Sequence, residues 1–212
     1  MRKFILLAVL FLSVSIISFS QASKQTYEVA NLKSLLSQHK IVAILPFRVT
    51  ISYKHMPKGF DAEGNKAEEA KEGINMQEGL YTFLLRKSKS YTVSFQDAET
   101  TNILLKKAGL FDKLDITLKD SICKVLNVDG IIGCNYEYEK TGSEAGAIAS
   151  SVLLGFGGHV ATGTLTMHLY NGKDGTLLWR FAKEMNEGAF TSANDMMERM
   201  MRKVSRNFPY EK

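Results

Sequence analysis

The chain shows apolar residues recurring with two periods, one helical and one extended, after a mostly apolar opening run from Phe4 to Ile17 that is interrupted only by Ser13 and Ser15. Leu32, Leu35 and Leu36 predict a short amphipathic helix over 28–38. Ile41–Phe47 is then continuously apolar, as expected of a strand buried on both faces. Pro46 has no N–H to give to a ladder, so it ends or bulges that pairing, and the chain continues extended through Val49–Tyr53. Residues 54–65 are polar and broken by Pro57, Gly59 and Gly64, which predicts a surface loop. From Lys66 to Arg86 the period is helical, with Ile74, Leu80, Tyr81 and Leu84 on one face and Glu68, Glu69, Lys71 and Glu72 at a solvated start. Gly73 and Gly79 each cost up to ~1 kcal/mol in a helix interior unless close packing offsets it.

Tyr91–Phe95 alternates as a strand, and Asp97 caps a helix that runs through Lys107 and closes at Gly109. A further helix starts near Thr117, where Thr117 and Asp120 approximate a capping box and Leu118, Ile122, Val125 and Leu126 form the buried face. Val128–Tyr138 is a strand whose first half is wholly apolar and whose second half alternates, as a strand does when it loses cover on one side. Two long strands, 159–170 and 176–187, flank Asn171-Gly-Lys-Asp-Gly175, whose Asn-Gly and Asp-Gly pairs favour a turn. A last helix begins at Ser192, buries Met196, Met197, Met200, Met201, Val204 and Phe208, and stops at Pro209.

Helices join the early strands, which implies parallel neighbours through right-handed crossovers; a turn joins the late strands, which implies an antiparallel hairpin. The expected fold is α/β with α+β character: one mixed sheet of about five strands, helices packed on it, and a C-terminal amphipathic helix. No internal repeat is visible.

The opening run changes the picture of where the chain works. Arg2 and Lys3 precede about 14 apolar residues, fewer than the ~20 a helical span needs. Ser20 and Ala22 then supply small residues for cleavage, so residues 1–22 form a secretory signal peptide and 23–212 a single domain; a retained anchor is the alternative. No cysteine stands at the cut for lipidation. The expected location is the periplasm, or association with the outer membrane. Net charge is +5, and loss of Arg2 and Lys3 reduces it to +3, without the clustering that nucleic-acid binding needs.

Candidate chemistry is sparse. Cys123 and Cys134 can close one disulfide in an oxidising compartment, or stay apart as small buried hydrophobes. Their spacing and the absence of nearby histidine give no metal site. Gly155-x-Gly157-Gly158 precedes a strand where a phosphate cradle needs a helix, so no nucleotide or other cofactor is expected. His159 and His168 with Cys134 lack the orienting groups of a thiol hydrolase, so no catalytic residue is assigned. Asp129 suits a turn entering a strand, and Trp179 a cross-strand packing anchor. The helix methionines suit either core or a pliable partner groove. The small, apolar, nearly uncharged segment 142–158 is the candidate interaction loop, through Ala145, Ile148, Val152, Leu153, Leu154 and Phe156; burial against the sheet is its alternative.

Three motifs carry a resemblance: Val42-Ala-Ile-Leu-Pro-Phe47, Leu126-Asn-Val-Asp-Gly-Ile-Ile-Gly133, and Leu169-Tyr-Asn-Gly-Lys-Asp-Gly-Thr-Leu-Leu-Trp179. In this order they resemble the bacterial envelope group that includes the curli-secretion lipoprotein CsgG, the N-terminal domain of TolB, and the lipoprotein activators of penicillin-binding proteins. The resemblance spans 38–208. It implies a non-enzymatic module that docks to other envelope proteins, scaffolds them or assembles with copies of itself. The 142–158 segment is the candidate for peripheral membrane contact, and charge and motif give no nucleic-acid or nucleotide partner. A small exported ligand-binding domain or enzyme is the alternative; a convergent polar pocket would favour it, and a long free sheet edge would favour strand addition by a protein partner.

Overall fold

A computed structural model describes residues 24–140, 159–188, 193–204 and 207–212. The expected signal peptide and the 142–158 segment lie outside the described residues, as does the start of the last helix at Ser192. The elements are β1 (Gln25–Glu28), α1 (Leu32–Leu36), β2 (Ile41–Ile44), β3 (Arg48–Tyr53), α2 (Ala62–Arg86), β4 (Ser94–Phe95), α3 (Ala98–Lys107), α4 (Lys119–Leu126), β5 (Gly130–Lys140), β6 (His159–Asn171), β7 (Leu177–Gly188) and α5 (Ala193–Val204). One mixed sheet runs β1-β7-β6-β5-β2-β4, with β3 also beside β5. β2 is parallel to β4 and β5, and β3 is parallel to β5; β5, β6, β7 and β1 pair antiparallel in succession.

The mixed α/β class is as expected, but the sheet has seven strands where the sequence predicts about five. The first addition is β1, a four-residue edge strand exposed throughout and so without an apolar period. The second comes from Pro46, which splits the predicted 41–53 stretch in two. β2 ends at Ile44 opposite Ile132, and β3 resumes at Arg48 opposite Asn135, so four steps on one strand face three on the other. That surplus residue is a bulge at the proline, which cannot donate to β5.

α2 packs against this break. The Phe47 amide donates to the Gly73 carbonyl at 3.1 Å, and a Cβ on Gly73 would stand 2.3 Å from the Phe47 oxygen. The glycine therefore lets helix and strand backbones meet, which offsets its cost in the helix. The helix starts at Ala62 rather than Lys66 because Asp61 caps it, accepting from the Glu63 amide at 3.1 Å. Its buried stripe is Gly73, Met76, Gln77, Leu80, Phe83 and Leu84, with Ile74 and Tyr81 only half-buried. At α3 the Asp97 cap forms as predicted, accepting from Thr100 N at 2.8 Å. At α4 the capping box does not form: Thr117 Oγ1 donates back to Lys113 O, leaving Leu118 at the N-cap without a side-chain bond. The helix buries Ile122, Cys123 and Leu126 in the smaller core, while Leu118 and Val125 face outward.

Two cores result. The larger lies between one face of the sheet and α1, α2 and α5, and includes Leu80, Phe83, Ile132, Tyr136, Leu169, Trp179, Met200, Met201, Val204 and Phe208. Trp179 is a buried anchor, stacked on Phe181 and edge-on to Phe208. Met200 and Met201 are core residues. The smaller core joins Ala43, Leu45 and Ile131 on the other face to Leu105 of α3 and Ile122, Cys123 and Leu126 of α4. Both cysteines are free and buried, Cys134 in the larger core and Cys123 in the smaller, so the bridge that their even count permits is not formed.

The resemblance motifs are joints between elements. Asn127 ends α4 in the left-handed conformation (φ 53°), and Val128 N returns to Cys123 O. The Asp129 carboxylate accepts from the Lys40 and Ile41 amides at 2.7 and 2.9 Å, locking the start of β2. Burial alone would raise its pKa, but those two amides hold it below the usual carboxylate value. Gly172 donates to Asp129 O, seating the β6–β7 turn on this corner where a Cβ would clash at 2.7 Å. His39, beneath the turn, bonds Tyr210 Oη at 2.5 Å and Asn171 Oδ1 at 3.3 Å, tying the C-terminal segment to it.

Candidate functional site

The smaller core covers only one corner of the second face of the sheet. Beyond Ile131 no described helix lies over it, and the side chains become polar where cover ends. Arg48, Thr50 and Ser52 of β3 stand beside Asn135, Glu137 and Glu139 of β5. Thr164, Thr166 and His168 of β6 and Arg180 and Glu184 of β7 continue the row. Tyr27 of β1, opposite Arg180, closes it as an exposed aromatic. This is the uncovered side that the alternating second half of β5 predicts.

A cleft of 260 Å³ opens where the α3–α4 corner meets this face, lined by Leu45, Pro46, Leu114, Gly133 and Cys134 and by the polar groups of Arg48, Asp115, Lys119, Asn135, His168 and Tyr170. Arg48 pairs with Asp115 at 3.2 Å across its mouth. Lys119 Nζ donates to Leu114 O at 2.7 Å and sits 5.9 Å from the Tyr170 ring centre. Burial lowers the Lys119 pKa, against a smaller opposing pull from Asp115. His168 stacks on Tyr170 with ring centres 5.9 Å apart. Burial first, then Arg180 and Lys119, press its pKa below the ordinary histidine value, while a bond to the Gly133 backbone works the other way. The imidazole is therefore neutral at pH 7.

These groups can hold an anion, but they do not assemble a nucleophile. Cys134 lies in the larger core, and burial pushes its thiol pKa up. Its register partner is Met167, whereas His168 pairs with Gly133 on the uncovered face. The thiol and the imidazole thus belong to opposite sides of the sheet, and the side chain of His159 is outside the described residues. Among the described residues no group of three or more His, Cys, Asp or Glu is placed to hold a metal ion, and no helix is long and apolar enough to cross a membrane.

The sheet edge on the β3 side is closed to strand addition. The Ile51 amide donates to Glu69 Oε1 at 2.8 Å, and its carbonyl accepts from Asn65 Nδ2 at 3.3 Å, so α2 side chains occupy that edge. The candidate loop of Ala145, Ile148, Val152, Leu153, Leu154 and Phe156 lies outside the described residues; its segment joins the distal ends of β5 and β6. Of the charged and titratable side chains in the cleft, only His168 and Cys134 are weighed as candidate chemistry in the sequence. Arg48 lies far in the chain from Asp115 and Lys119, with no motif to link them. The one legible signal is the polar alternation of β5 and β6.

No protein-family model matches the chain, and no curated protein matches it in sequence. Among solved structures, it is similar in fold to the lipoprotein GNA1162 from Neisseria meningitidis, at 13% identity over 79% of this chain and 96% of that one, with a TM-score of 0.46. A PelC dodecamer from Paraburkholderia phytofirmans matches at 12% identity over 86% and 93%, with a TM-score of 0.40. The C-terminal domain of LpoB from Salmonella enterica matches at 8% identity over 74% and 96%, with a TM-score of 0.35. Matches this distant carry no functional argument.

Proposed function

We propose that this chain is an exported, non-enzymatic envelope protein of the CsgG and TolB N-terminal type, which binds or scaffolds other envelope proteins through the uncovered face of its sheet. The observation that carries the reading is the contrast within β5: apolar on both sides up to Ile132, then polar on one side with no described helix over it. A sheet face of threonines, asparagine and scattered charges is soluble alone and can still form the polar contacts of a non-obligate interface. The leader of residues 1–22 supports export, and the 142–158 segment supplies a second contact, to protein or membrane surface, at the far end of the same two strands. The cleft is smaller than the ~300–1,000 Å³ of drug-sized ligand pockets, which favours an anchoring side chain over a small metabolite.

The test places a photo-crosslinking residue at Asn135 or Thr166 on the uncovered face, and at exposed Glu99 on α3 as control, followed by irradiation of intact cells and fractionation. Discrete adducts in the envelope fraction from the first two positions and not from the third are expected. An unprocessed chain in the cytosol, or the same adducts from all three positions, would overturn the proposal. Deleting Ser143–Gly157 and measuring oligomer size and vesicle pelleting tests the loop separately.

A further inference from the structure

The cleft holds more positive charge than its walls neutralise. Asp115 is already paired with Arg48. Among the described residues, the Lys119 ammonium has a carbonyl as its hydrogen-bond acceptor, which uses one of its three N–H groups. Arg180, across the ladder from His168 and outside the cleft lining, adds a neighbouring cation that makes no ion pair with any described residue. Lys119 is half-buried, and an ammonium in that setting gains from a fixed counter-ion. Two of the most exposed apolar side chains flank the cleft wall in sequence: Ile116 (83% exposed), next to Asp115, and Leu118 (73%), next to Lys119. Leu118 is the N-cap residue of α4, without a side-chain cap bond.

We propose that the cleft anchors a carboxylate of a protein partner, an acidic side chain or a chain terminus, whose apolar neighbours lie on Ile116 and Leu118. This rests on the reading of the uncovered face as a protein-binding surface. The carboxylate enters between Lys119 and Asn135, over the bare Gly133 floor and beside the His168–Tyr170 stack. A monoanion fits better than a phosphate dianion: the fixed cations are single groups on separate elements, and the Asp115 carboxylate on the wall repels a second negative charge.

The test uses the full chain with isotope-labelled histidine and follows the His168 signals in solution. The probes are acetyl-Leu-Asp-Leu-amide for a side-chain acid, acetyl-Ala-Leu-Leu with a free terminus for a chain end, acetyl-Leu-Asn-Leu-amide as the neutral control, and inorganic phosphate. At least one acid is expected to shift His168 saturably and raise its pKa, since an anion beside an imidazole favours the charged form; which acid does so identifies the source. Lys119→Met is expected to weaken that binding roughly tenfold, Arg180→Gln less, and Lys119→Arg to restore it. Unchanged melting checks that each variant folds. Equal binding of the asparagine peptide, no saturable shift from either acid, a stronger response to phosphate, or an unaffected Lys119→Met would each overturn the assignment. Crosslinks from Asn135 and Thr166 that persist without carboxylate selectivity would sink the cleft assignment and leave the protein-binding face standing.

Discussion

The two faces of the sheet are built from the same strands and do opposite work. On the covered face, Ile132, Cys134 and Tyr136 of β5 meet Leu165, Met167 and Leu169 of β6 and Trp179 and Phe181 of β7, all buried under α2 and α5. On the other face, one residue out of step, stand Asn135, Glu137, Thr164, Thr166, His168 and Arg180. The covered face supplies stability, because burial of large apolar side chains is the dominant favourable term in folding. The uncovered face is free to vary, and so is the place where binding can be written without unfolding the domain. Even the bulge at the β6–β7 turn serves this division, since it brings both Leu178 and Trp179 into the larger core.

The sharpest break of this comparison is on the covered side. Trp179→Ala should cost about 3–5 kcal/mol and lower the melting temperature by about 10 °C for a domain of this size. An unchanged melting curve would mean the anchor is not in the core. Gly73→Ala should cost about 1–3 kcal/mol, because the new methyl meets the Phe47 carbonyl oxygen and must push α2 away from the β2–β3 break; chemical denaturation reads it directly.

Acidification tests both sides together. Burial leads the depression of both His39, in the network under the turn, and His168, on the uncovered face. A histidine with a lowered folded pKa binds fewer protons folded than unfolded, so stability rises with pH through its titration. Stability present above the unfolded value of ~6.5 should therefore decline as pH falls below it toward the folded values. Melting temperatures from pH 7.5 to 5 should show this, with His39→Asn and His168→Asn each removing part of the slope. The smallest effect belongs to Thr166→Ala on the uncovered face, expected within about ±0.5 kcal/mol. The same substitution should weaken partner crosslinking from Asn135, its cross-strand neighbour. A large loss of stability there would show that the face is structural after all.

Much of this was legible without coordinates. The apolar run at Ile41, the half-and-half strand at 128–138, the Asn171–Gly175 turn and the Asp97 cap all follow from local rules of period, turn chemistry and capping. The departures have local causes too. Asp61 starts α2 early, Thr117 bonds backward and leaves α4 without its predicted cap, and β1 is too short and polar to show a period. The cleft was not legible, since it joins residue 48 to 115–119 and 168 with no sequence spacing to betray them.

By itself, then, the sequence determined most of the strands and helices, that the late strands form a hairpin, and that one side of β5 would run out of cover. Those are properties of neighbouring residues, set by side-chain periodicity and backbone preference. Only the tertiary structure decided that the two cysteines lie in separate cores, that α2 seals the β3 edge, and that Arg48, Lys119 and His168 share a cleft. Such juxtapositions depend on how the sheet orders its strands and where its helices stop covering it.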